Sequence, residues 1–102
     1  MTTGTTASGT YYLFNKKDQD VPIVFVHGVG LTHEIWQPQL EFFNYHSTLA
    51  YDILGHGKSS LENKEISFDD FSDQLIGLMD HLNIKKIHLE GFSIGSLIAR
   101  NF

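Results

Sequence analysis

Residues 86–100 read Lys-Ile-His-Leu-Glu-Gly-Phe-Ser-Ile-Gly-Ser-Leu-Ile-Ala-Arg, and this stretch decides the fold. Lys85 to Glu90 opens a strand, Ser93 to Phe102 begins a helix, and Gly91-Phe92-Ser93-Ile94-Gly95 between them matches G-x-S-x-G. A sharp strand-to-helix turn brings the positions two before and two after its serine close together, so only small residues fit there. Both are glycine in this chain, and Ser96 is small as well. Such a turn lifts the Ser93 hydroxyl clear of the backbone at a helix N-terminus, where peptide N–H groups and the helix dipole favour developing negative charge. A plain helix start with Ser93 as its cap would use similar residues. The strand before, the helix after and two further motifs upstream select the nucleophile reading.

Working outward, the preceding segment holds the clearest helix. Phe68, Phe71, Leu75, Leu78, Met79 and Leu82 recur at steps of three and four and form one apolar stripe. Ser67 stands as N-cap with Asp70 three residues on, a variant of the capping box, and Asn83 is a stop. Before that, Ser47 to Ile53 reads as a strand running into a loop with two glycines, Gly55 and Gly57. Glu34 to Tyr45 reads as a helix of imperfect period carrying Ile35, Trp36, Leu40, Phe42 and Phe43. Val21 to Val26 places four apolar residues in a row after a proline, the pattern of a strand buried on both faces. Tyr11 to Phe14 has strand composition. Residues 1–10 read as a flexible N-terminal tail or a weak lead-in to a strand. Strand, strand, helix, strand, helix, strand, helix predicts an α/β domain over residues 11–102, with helices flanking a mostly parallel sheet.

The length of 102 residues allows one small domain. Hydrophobic residues make up 41% and charged residues 19%, ordinary for a globular chain. A net charge of −5 weighs against nucleic acid or an anionic membrane surface as partner. The absence of cysteine removes a disulfide framework and a Cys-based zinc site, and fits a reducing cytoplasm. The opening MTTGTTASGT lacks the basic start and apolar core of a signal peptide, and no apolar run approaches a membrane span. His33, His46, His81 and His88 share no ligand spacing, so no metal and no cofactor are expected.

Two further motifs lie upstream of the serine. His27-Gly28-Val29-Gly30 directly follows the most apolar strand. Acyl transfer needs two N–H donors aimed at a tetrahedral oxyanion, one from the residue after the nucleophile and one from a loop after an earlier strand. Ile94 fits the first role and Val29 the second, its flanking glycines allowing close approach of a substrate oxygen. A simple glycine turn is the alternative. His27, fixed at a strand end, reads as structural rather than as a general base. In Tyr51-Asp52-Ile53-Leu54-Gly55-His56-Gly57-Lys58-Ser59, Asp52 ends a strand on the same sheet edge. It reads as a carboxylate organising its loop through backbone N–H groups, the alternative being an acid that orients a histidine. His56 and Ser59 read as loop architecture.

Together the HGVG turn, the YDILGHGKS segment and the GFSIGSLIAR elbow resemble the α/β-hydrolase superfamily in order and spacing over residues 11–102. The resemblance implies an eight-stranded, mostly parallel sheet of which this chain supplies the N-terminal half. It implies Ser93 as nucleophile, Val29 and Ile94 as oxyanion hole, and His27, Gly28, Gly30, Gly91 and Gly95 as supporting motif residues. Serine rather than aspartate at position 93 argues against the epoxide-hydrolase and haloalkane-dehalogenase branches. The GHGKS loop and GFSIGS elbow look most like hydrolases of small catabolic substrates, such as enol-lactonases and amidomethylene-succinate hydrolases. The implied activity is cleavage of an ester, lactone or amide of a small molecule through an acyl-enzyme.

The family's triad runs Ser, then Asp or Glu, then His along the chain, which places both later members beyond Phe102. A serine without its base loses about 10⁶ in turnover. The expectation is therefore a piece of a longer enzyme, cut after the nucleophile elbow and inactive alone. The competing expectation is a catalytically dead interaction module that uses an open sheet edge to bind a partner.

Overall fold

The computed structural model describes residues 1–17, 21–28, 30–60 and 67–91. Five strands, β1 (Thr2–Thr5), β2 (Tyr11–Asn15), β3 (Ile23–Val26), β4 (Thr48–Tyr51) and β5 (His88–Gly91), form one sheet in the order β1-β2-β4-β3-β5. β1 with β2 and β2 with β4 pair antiparallel, whereas β4, β3 and β5 are parallel neighbours. The sheet is mixed, with its parallel part at the strands that carry the motifs. Residues 2–5, expected as a flexible tail or a lead-in, instead pair antiparallel with β2 as a strand of their own.

The continuous apolar run of β3 is explained by cover on both faces. Val24 and Val26, with Leu49 and Tyr51 of β4, pack beneath helix α2 (Phe68–His81) through Phe71, Leu75 and Leu78. Phe25 and Ala50 point the other way, onto Trp36 and Leu40. Leu75 and Leu78 are almost wholly buried, and burying a leucine is worth roughly 1.5–3 kcal/mol. α2 begins as its sequence predicts: the Asp70 carboxylate accepts the Ser67 N–H at 2.9 Å, one arm of the capping box. It ends at Asn83, whose φ of 58° takes the left-handed turn while the Ile84 N–H bonds back to the Met79 carbonyl. The side chain of Phe68, expected in the stripe, lies outside the described residues.

The helix expected over 34–45 is shorter and divided. A 3₁₀ turn (His33–Trp36) leads into α1 (Gln37–Phe42), with Pro38 in its first turn. Trp36 and Leu40 are buried, but Phe42 is exposed. At 100° per residue Phe42 lies about 200° around from Leu40, on the solvent side. β5 is also shorter than the 85–90 reading, and its exposed positions are His88 and Glu90. The helix expected from Ser93 lies outside the described residues.

Candidate active site at the carboxyl edge of the sheet

The parallel strands end in register. Val26 of β3 is opposite Tyr51 of β4 on one side and Gly91 of β5 on the other. His27 and Asp52 follow on β3 and β4, and Gly91 opens the third motif, so all three motifs meet this row. α1 and α2 cover opposite faces, and the outer carboxyl edge of such a sheet is where α/β folds place ligands. Of the predicted site residues, Gly91 ends β5 at this row, and His27, Gly28 and Gly30 lie in the turn that follows β3. Val29, Ser93, Ile94 and Gly95 lie outside the described residues.

His27 is fully buried. Its Nε2 accepts the Ile53 N–H at 3.0 Å, so the ring proton sits on Nδ1, which donates to the Gly28 carbonyl at 2.7 Å. Burial pushes its pKa below the usual histidine value, against the opposing pull of the Gly28 carbonyl and Asp52. Asp52 Oδ1 lies 3.8 Å from Nε2, but a neutral ring with that nitrogen already engaged makes no ion pair. Both nitrogens of His27 therefore serve the backbone, which matches a structural histidine and leaves no lone pair for a substrate.

Asp52 is also fully buried and ties two loops together. Oδ1 accepts the His33 N–H at 2.7 Å and His33 Nδ1–H at 2.8 Å, and Oδ2 accepts the Lys58 N–H at 2.9 Å. Burial alone would raise its pKa, but these donors and the His33 charge more than offset that and hold it below the ordinary carboxylate value. The Asp52 carbonyl accepts the Ser59 hydroxyl at 2.6 Å and Gln74 Nε2 at 3.0 Å. Ser59 Oγ in turn accepts the Tyr11 N–H, and His56 Nδ1 lies 2.9 Å from the Leu54 carbonyl. The loop-organising reading of Asp52, His56 and Ser59 agrees with these bonds.

Two residues of this network were not singled out from sequence. Gln74 bridges α2 to the site: its Oε1 accepts the Leu54 N–H and its Nε2 donates to Thr10 as well as Asp52. Its signal was available, a polar residue on the stripe between Phe71 and Leu75. His33 carried no comparable local signal, because its partner is 19 residues away. Trp36 packs on Phe25 at 4.9 Å between ring centres and lines a cleft of about 490 Å³ with Phe43, His88 and Glu90. Among the described residues no group of three or more His, Cys, Asp and Glu could hold a metal ion, and no helix is long and apolar enough to cross a membrane.

A family model described as alpha/beta hydrolase fold matches residues 21–102. The chain belongs to the α/β-hydrolase family. Among its relatives, the (E)-2-((N-methylformamido)methylene)succinate hydrolase of Acinetobacter baylyi is 40% identical over 79 residues, 76% of this chain and 30% of that protein. The 3-oxoadipate enol-lactonase 1 of the same organism is 35% identical over 79 residues, 76% of this chain and 29% of that protein. The crystal structure of naproxen esterase from Bacillus subtilis superimposes with a TM-score of 0.85 at 30% identity, covering 99% of this chain and 36% of that one. This α/β-hydrolase chain thus spans about a third of the length of these three proteins.

Proposed function

We propose that this chain is the nucleophile-bearing part of a serine hydrolase that cleaves an ester, lactone or amide of a small molecule. The observation that carries the reading is the register of β3 with β5: Val26 opposite Gly91 starts the HGVG turn and the GFSIG motif side by side. Relatives named as a lactonase, an esterase and an amide-type succinate hydrolase support the same bond classes.

In this reading the Ser93 hydroxyl attacks the substrate carbonyl and gives its proton to a histidine encoded beyond residue 102. The N–H groups of Val29 and Ile94 hold the tetrahedral oxyanion. Its collapse expels the alcohol or amine, which takes up that proton, and water then releases the acid from the acyl-enzyme. Losing one oxyanion donor typically costs ~10²–10³ in rate. The acid and base supplied by the later chain are required, so residues 1–102 alone are inactive.

The test is to quench the full-length protein during turnover of p-nitrophenyl butyrate and weigh it intact. A covalent butyryl adduct in the wild type that is absent from Ser93→Ala supports the reading. Turnover that survives in Ser93→Ala contradicts it.

A further inference from the structure

We propose that His33 is a positioning residue for the turn that follows β3, acting through Asp52; this rests on the serine-hydrolase reading, in which that turn supplies an oxyanion donor. The turn is held at two points. At its start, His27 locks onto the Gly28 carbonyl and the Ile53 N–H, and the Leu31 N–H bonds back to Gly28 at 3.2 Å. At its end, His33 places both its backbone N–H and its imidazole Nδ1–H on one oxygen of Asp52.

The other oxygen of the same carboxylate holds the Lys58 N–H, so one buried group couples the turn after β3 to the loop after β4. Of the three donors described on the carboxylate, the imidazole is the one that belongs to a side chain. It is also buttressed, with its ring centre 5.2 Å from that of Tyr11. The Lys58 ammonium sits 4.8 Å from the same tyrosine ring. The imidazole gives Oδ1 a second donor; without it each carboxylate oxygen keeps one backbone N–H, and the side-chain link that ties Asp52 to the end of the turn is lost. His33 is mostly buried, and its action runs through Asp52 and the turn.

A fluorophosphonate reports on this directly, because serine attack at phosphorus expels fluoride and seats the phosphoryl oxygen in the oxyanion site. The experiment measures the maximal labelling rate kinact and the half-saturating concentration KI of the full-length protein and three variants. His33→Leu keeps bulk without a donor, His33→Asn keeps a donor near the Nδ1 position, and His33→Gln moves it one methylene outward. Because kinact is a first-order constant of the molecules that label, a lower folded yield does not mimic the effect. The expected result is kinact about tenfold lower in Leu and Gln with KI within about twofold, and recovery to within about threefold in Asn. Equal kinact in wild type and His33→Leu, or His33→Asn as slow as Leu, overturns the role. A wild-type protein that takes no adduct removes the serine-hydrolase reading itself, and this role with it.

Discussion

Val26 and Gly91 face one another as register partners on adjacent parallel strands. The β3–β5 pairing thereby sets the HGVG turn beside the start of G-x-S-x-G, although 60 or so residues separate them in sequence. Tyr51 extends the row onto β4 and delivers Asp52 to the same edge. The position of each motif follows from sheet register, and register is set by apolar residues that must meet the cover on each face.

Asp52 sits where loss of one carboxylate frees donors on two loops. Asp52→Ala is expected to lower unfolding free energy by about 2 kcal/mol, because the part-buried N–H groups of His33 and Lys58 lose their acceptor. Urea unfolding of the full-length protein checks this. The pH dependence follows from the sign of the shift. Asp52 ionises more readily when folded, so its contribution is complete above the ordinary carboxylate value of 3.8 and is lost as pH falls through its lower folded value. The slope of stability against pH in that acidic window should be shallower in Asp52→Asn.

His27 titrates with the same sign but for a different reason. Its folded pKa lies below 6.5 because burial disfavours the charged ring. The unfolded chain therefore takes up a proton first as pH falls, and stability is lost from pH 6.5 downward towards the folded value. NMR of the ring should show the Nδ1–H tautomer and no titration at 6.5. A ring that titrates at 6.5, or carries its proton on Nε2, contradicts the bonding to Ile53 and Gly28.

The glycines of the two loops should respond differently to alanine. At Gly57 the backbone has φ +50° and an added Cβ would collide with the Asp52 carboxylate. At Gly30 φ is +80°, but among the described residues nothing lies within 4 Å of the added atom. Left-handed strain alone costs about 1–2 kcal/mol, so Gly30→Ala should stay near that figure. Gly57→Ala should exceed it by at least about 1 kcal/mol, because the carboxylate has to leave its donors. Thermal unfolding of the pair, side by side, decides whether the clash is real.

How much of this was legible in the sequence depended on the range of the interaction. The α2 stripe from Phe71 to Leu82, its Ser67 and Asp70 start and its Asn83 stop are local signals that appear in the fold. The buried strand at 23–26 was legible from its unbroken apolar run. The break between the 3₁₀ turn and α1 was not, because Phe42 mimicked a core position while packing against solvent. The antiparallel β1 was half legible, since Thr and Gly at 2–5 gain their place only by pairing with β2. Of the site, Asp52, His56 and Ser59 were readable as loop residues. The His33 contact was not readable, since it spans 19 residues between two loops.

Whether Ser93 is the nucleophile is decided by locating a covalent label. The full-length protein is labelled with a fluorophosphonate, digested and sequenced by tandem mass spectrometry to locate the adduct. The expected result is a single phosphonylated residue, Ser93, and no adduct in Ser93→Ala. An adduct on another residue, or a protein that hydrolyses esters while its Ser93 stays unmodified, would contradict it.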